Sequence, residues 1–220
     1  MREPSYAIEQ SQSSALEVSR VLRNTYGLLA MTLAFSSLVA YWSMSANMPR
    51  PGLIVMLVGF YGLYFGIVKL RNSAWSIALT FALTGFLGYT LGPILQMYLS
   101  IPNGGDLVAT ALGMTALVFF GLSAFVLVTR KDMSFLGGFI TAAVLVLLAA
   151  FVAGFFFNIS GLQLAISAGF VLLSSAMILY QTSEIINGGE RNYVLATVSL
   201  YVSIYNLFVS LLSILGMSRD

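Results

Sequence analysis

Two stretches of this chain place polar side chains inside apolar sequence. In LYQTSEI (179–185) Gln181 and Glu184 are three residues apart, and in LYVSIYNLF (200–208) so are Ser203 and Asn206. On a helix that spacing brings each pair to one face. Carboxylates held within a membrane relay protons or ligate cations, whereas neutral amides and hydroxyls bond neighbouring helices. Glu184 is the one acidic residue inside a long apolar run. A carboxylate near a helix end normally reaches headgroup water or pairs with a cation, and Lys131 and Arg191 are available. The rest of the reactive inventory is short. The chain has no cysteine and no histidine, which excludes a disulfide framework, a Cys/His zinc site, a thiol nucleophile and a Ser-His dyad. Asp106, Asp132 and Asp220 all fall in polar connections or at the end of the chain, away from any intramembrane carboxylate pair. No catalytic, metal-binding or cofactor-binding residue is therefore nominated, no cofactor is implied, and the chain is expected not to be an enzyme.

The elements that must position these groups follow from hydropathy. Hydrophobic residues make up 59% of the chain and charged ones 8%, with a mean hydropathy of +0.92. Soluble domains carry roughly 25% charged residues, so the surface of a water-soluble globule could not be covered. The composition specifies an all-α integral membrane protein in a lipid bilayer. The net charge of +2 forms no basic face for nucleic acid. Apolar runs of bilayer length, roughly 20 residues, are expected at 23–44, 52–69, 74–99, 107–129, 134–157, 161–184 and 193–216. The reading is a flexible polar tail over 1–20, a domain of seven transmembrane helices over 21–216, and a short tail over 217–220. The runs are continuous rather than alternating, which disfavours barrel strands. The first is too long, after too polar a lead, to read as a cleaved signal peptide.

Lysine and arginine fix the expected orientation. Arg2, Arg20, Arg23, Lys69, Arg71, Arg130, Lys131 and Arg191 collect on one side of such a topology, and Arg50 and Arg219 on the other. The positive-inside rule puts the amino terminus and the loops after spans 2, 4 and 6 in the cytoplasm, and the carboxyl terminus outside it. Within the spans, Gly59, Gly62 and Gly66, and Gly85, Gly88 and Gly92, form small-residue stripes. They suit helix packing inside one bundle, or alternatively a dimer face. Pro93 removes a backbone hydrogen bond and is expected to bend or break span 3. In the turn TRKDMS (129–134), Arg130 and Lys131 hold the basic side while Asp132 is placed to cap the start of span 5.

Combined, FFGLSAFVLVTRKDMSFLGG (119–138), LYQTSEI, SLYVSIYNLFVSLLSILG (199–216) and LTGFLGYTLGPIL (83–95) resemble the BAX inhibitor-1 family from about Val21 to the end of the chain. The resemblance implies a BAX inhibitor-1-like bundle in which six helices surround a central one. It implies a place in the bacterial inner membrane, with the amino terminus cytoplasmic and the carboxyl terminus periplasmic. It also implies a regulatory role in which the chain binds and modulates the membrane-anchored AAA protease FtsH and its membrane complex, as a slow substrate. The alternative that the family implies is a pH-sensitive calcium or proton leak. In that mechanism two carboxylates, in YDxxxI of span 6 and LYxDxxNxF of span 7, close the ion path. Here those positions are Gln181 and Ser203, neither of which ionises, and this disfavours the leak. A neutral polar bond between them, across spans 6 and 7, is the expected replacement.

Overall fold

The structure, a computed structural model, describes the backbone over residues 4–157 and 161–217. Side chains are described over the same ranges from Leu16 onward, except Phe155. The described residues form seven α-helices and no strand: α1 (Pro4–Ser45), α2 (Leu53–Lys69), α3 (Trp75–Leu99), α4 (Gly104–Thr129), α5 (Leu136–Phe156), α6 (Leu162–Ile186) and α7 (Tyr193–Met217). A backbone in lipid has no water to bond, so it must satisfy its own N–H and C=O groups, which a helix does within each segment. Six of the helices are long and apolar enough to cross a membrane, and α2, at 17 residues, is a shorter apolar helix. The chain is a multi-pass membrane protein.

Each expected span coincides with one helix. The difference lies at the amino end, where α1 starts at Pro4 and runs through most of the segment expected to be an unfolded tail. Proline is tolerated at the first helical position, and the following residues include Ala, Glu, Gln and Leu with no glycine to break the helix. No element boundary therefore falls at residue 20. The expected tail at 217–220 lies, beyond Met217, outside the described residues.

Helix α7 packs against α1, α3, α4 and α6, and α1 packs extensively along α3. Buried Leu200, Tyr201, Leu207 and Leu212 of α7 belong to the same core as Leu29, Leu83 and Ile178. By contrast α2 draws its packing from α3, and α5 draws its packing from α6. Both stand at the margin of the bundle with their apolar side chains largely exposed, as Phe65 and Val146 are.

The α1–α3 seam depends on the absence of side chains. A Cβ at Gly88 would run into the Ser36 carbonyl oxygen, and one at Gly92 would lie 2.6 Å from the Ser43 hydroxyl. A Cβ at Gly59 would lie 2.6 Å from the ring of Phe86 on α3. At Gly59, Gly85, Gly88 and Gly92 the missing side chain thus serves packing inside the bundle, whereas Gly62 has nothing within 4 Å. Pro93 does not break α3, which is continuous through it. Its missing N–H frees the carbonyl four residues earlier, that of Tyr89. Ser43 of α1 fills the gap by donating to the Tyr89 oxygen at 2.9 Å. Polar bonds also join α7 to the seam. The Tyr201 hydroxyl bonds Ser36 and donates to the Thr84 carbonyl at 3.3 Å, while Tyr205 and Thr90 pair at 2.8 Å.

Candidate functional site

The polar residues singled out by sequence meet where α6 ends and α7 begins. Helix α6 closes in a tight glycine turn. Gly188, at φ +77°, adopts the left-handed conformation that glycine enters without steric cost. Its N–H bonds the Ile185 carbonyl at 3.3 Å, and the Gly189 N–H bonds the Glu184 carbonyl at 2.9 Å, which is the Schellman pattern. The Glu184 carboxylate folds against Gly189, where an added Cβ would meet it. Asn192 then caps α7, its Oδ1 accepting the N–H groups of Val194 and Leu195 at 3.0 and 3.2 Å. Its amide nitrogen donates to the Arg71 carbonyl at 2.9 Å, tying this turn to the α2–α3 connection.

A second tie involves Ser183, which is fully buried. Its hydroxyl oxygen accepts the Met133 N–H at 2.9 Å and the Asn187 amide at 3.0 Å, and it donates to the Lys131 carbonyl at 3.3 Å. The TRKDMS turn is thus fastened to the end of α6. Within that turn Arg130 adopts a left-handed backbone, φ +51°, and ends α4. Asp132 accepts the Ser134 N–H at 2.8 Å, a local turn two residues ahead of α5 rather than a cap on the helix's first turn. The Lys131 ammonium lies 5.9 Å from the centre of the Phe125 ring, and the Arg191 Nε donates to the Gly188 carbonyl at 3.4 Å. Neither of these contacts is with Glu184, the partner that sequence had suggested for both cations.

Gln181, Ser203 and Asn206 face a groove between α2 and α5 whose floor is α6 and α7. One cleft of about 460 Å³ takes in Gln181 and Glu190. The next, of about 310 Å³, takes in Ser203 and Asn206, and the two share Phe60, Tyr61, Met177 and Val202. The expected bond between Gln181 and Ser203 is not formed. The Ser203 hydroxyl donates instead to the Ser199 carbonyl one turn back, at 2.8 Å, the nearest acceptor that a helical serine has. Glu184 does not line the groove despite its i, i+3 relation to Gln181, because its side chain is turned onto Gly189. The acid at this cleft is Glu190, a residue the sequence presents only as part of a connection. Its Oε1 accepts the Asn192 N–H at 2.7 Å.

In chemical terms the floor is neutral: an amide, a hydroxyl satisfied by its own helix, and a second amide. Among the described residues no group of three or more Asp and Glu is gathered as a metal site would require. Two carboxylates sharing a proton, the arrangement that makes a pH gate, are absent from the Gln181 and Ser203 positions.

A polytopic helical protein with this polar-floored groove and these motifs is one whose relatives are readily recognised. The chain belongs to the family described as Inhibitor of apoptosis-promoting Bax1, which matches residues 18–220. An uncharacterised protein of Pseudomonas aeruginosa is 68% identical over 218 residues, covering 99% of this chain and 98% of that one. The Modulator of FtsH protease YccA of Escherichia coli K12 is 59% identical over 210 residues, or 95% of each chain. A protein of the same identity and coverage from Escherichia coli O6:H1 is named Inner membrane protein YccA.

Proposed function

We propose that this chain is a regulatory protein of the bacterial inner membrane that binds and modulates a membrane-anchored AAA protease of the FtsH type, and is itself degraded slowly by it. The observation that carries this reading is the 59% identity, over 95% of each chain, with a protein named for modulating FtsH. The neutral side chains on the groove floor agree with it, since Gln181 and Ser203 supply neither the proton switch nor the carboxylate ligands that a calcium path would use. In this reading α2 crosses the membrane with the other six helices, and the connections after α2, α4 and α6 are cytoplasmic. The amino-terminal turns of α1, from Pro4 to Ala15, precede its apolar stretch from Leu16 and give the protease an end to grasp from the cytosol.

The test is made in cells that carry the protease. The chain should co-purify with it and lengthen the half-life of a second membrane substrate. Deleting residues 2–15 should slow turnover of the chain itself, retain binding, and prolong that inhibition. Unchanged half-lives for both proteins on deletion would remove the amino end from the mechanism. A pH-dependent cation flux from the unmodified protein in liposomes would favour the leak instead.

A further inference from the structure

We propose that the groove between α2 and α5 seats a transmembrane helix of the partner protease, with polar side chains on that helix bonding Gln181 and Asn206. The proposal rests on the modulator reading above and adds to it a place of contact. The groove exists because its two walls take their packing from different helices, α2 from α3 and α5 from α6, and leave a gap between them. The walls are apolar and aromatic, with Phe60 and Tyr61 on one side and Leu147 and Leu148 on the other. Its floor is not apolar. Gln181 is 8% exposed and lines one cleft below Glu190 at its mouth, Asn206 lines the next, and neither side-chain amide has a hydrogen bond among the described residues.

An amide offers two donors and an acceptor, and in hydrocarbon there is no water to take them. Lipid tails would fill the groove and leave both amides unpaired. A transmembrane helix buries its own backbone bonds and can still present a Ser, Thr, Asn or Gln side chain, so it satisfies walls and floor together. The spacing narrows the partner further. Gln181 lies five residues from the end of α6, and Asn206 thirteen from the start of α7. At 1.5 Å per residue these are depths of about 8 and about 20 Å from the same face of the bundle. The difference, about 12 Å, equals about eight residues of a helix, so polar side chains seven or eight positions apart would share the required face.

The experiment places a photo-activated cross-linking residue at Leu148 in the groove wall, or at Leu117 on the exposed surface of α4, in the full chain within cells. The expected result is an adduct with the protease from position 148 and none from position 117. Gln181→Leu combined with Asn206→Leu should reduce that adduct about tenfold, the loss of two interhelical hydrogen bonds. A melting curve on the purified double variant checks that it is folded, and the unsubstituted chain with the label at 148 decides the matter if it is not. Co-purification with the protease, but only lipid or a second copy of this chain attached at 148, would overturn the groove and leave the modulator reading standing. Loss of co-purification altogether would overturn both.

Discussion

Ser183 joins two groups about fifty residues away, the Met133 N–H and the Lys131 carbonyl, to the Asn187 amide one turn ahead. Removing it leaves a buried backbone N–H without a partner, a loss of about 1–3 kcal/mol. Asp132 bonds only the neighbouring Ser134 N–H in an exposed turn, where water takes over when the carboxylate is lost. Ser183→Ala should therefore lower the melting temperature of the purified protein in detergent more than Asp132→Ala does. Equal shifts would show that the Ser183 bonds are open to solvent. The amides at 181 and 206 were legible in the sequence because an amide is conspicuous in an apolar run. Ser183 was not, because a serine is tolerated anywhere in a membrane helix and its partners at 131 and 133 lie about fifty residues earlier. Glu190 was equally hidden, since an acidic residue in a short polar connection looks solvated until the fold brings it to the mouth of a cleft.

Among the elements, α3 shows how a local defect is repaired from a neighbour. The carbonyl of Tyr89, freed by Pro93, is bonded by Ser43 of α1. Ser43→Ala should destabilise the native chain but cost less in a Pro93→Ala background, where the restored N–H at 93 reaches the same oxygen. A double-mutant cycle on thermal stability should give a coupling of about 0.5–3 kcal/mol. Additive effects would mean that the serine and the proline act independently. Hydrophobic run length was enough to locate all seven helices, because in lipid the helix is the one open form that satisfies its own backbone. The run over 74–99 is one helix as expected, whereas Pro93 read alone allowed a bend or a break, since the compensating donor belongs to another helix. Glycine spacing showed that close approach was needed without saying to what, and the answer at Gly88 and Gly92 is α1. In the amino-terminal segment the polar composition spoke against a core, but not against the helix that begins at Pro4.

For the whole molecule, the distribution of Lys and Arg predicts the sidedness that the modulator reading needs. A cysteine introduced at Ser218 should react with a membrane-impermeant thiol reagent in intact cells whose outer membrane has been permeabilised, and one at Ser73 should not. The reverse pattern would turn the protein over and put the basic connections outside the cytosol. The native chain lacks cysteine, so no background labelling of its own intervenes. The tyrosines of α7 carry a consequence for how the protein is made. Tyr201 supplies the partner for Ser36, 165 residues earlier in the chain, and Tyr205 supplies the partner for Thr90. At a synthesis rate of about 5–20 residues per second, about 8–33 s separate the emergence of Ser36 from that of Tyr201. Throughout that interval the Ser36 hydroxyl lacks its α7 partner, and the Thr90 hydroxyl lacks its own from the time it is made. Of the seven described helices, the one that leaves the ribosome after the other six is therefore the one that closes the polar seam of α1, and chains truncated before it should be the most readily recognised as unfinished.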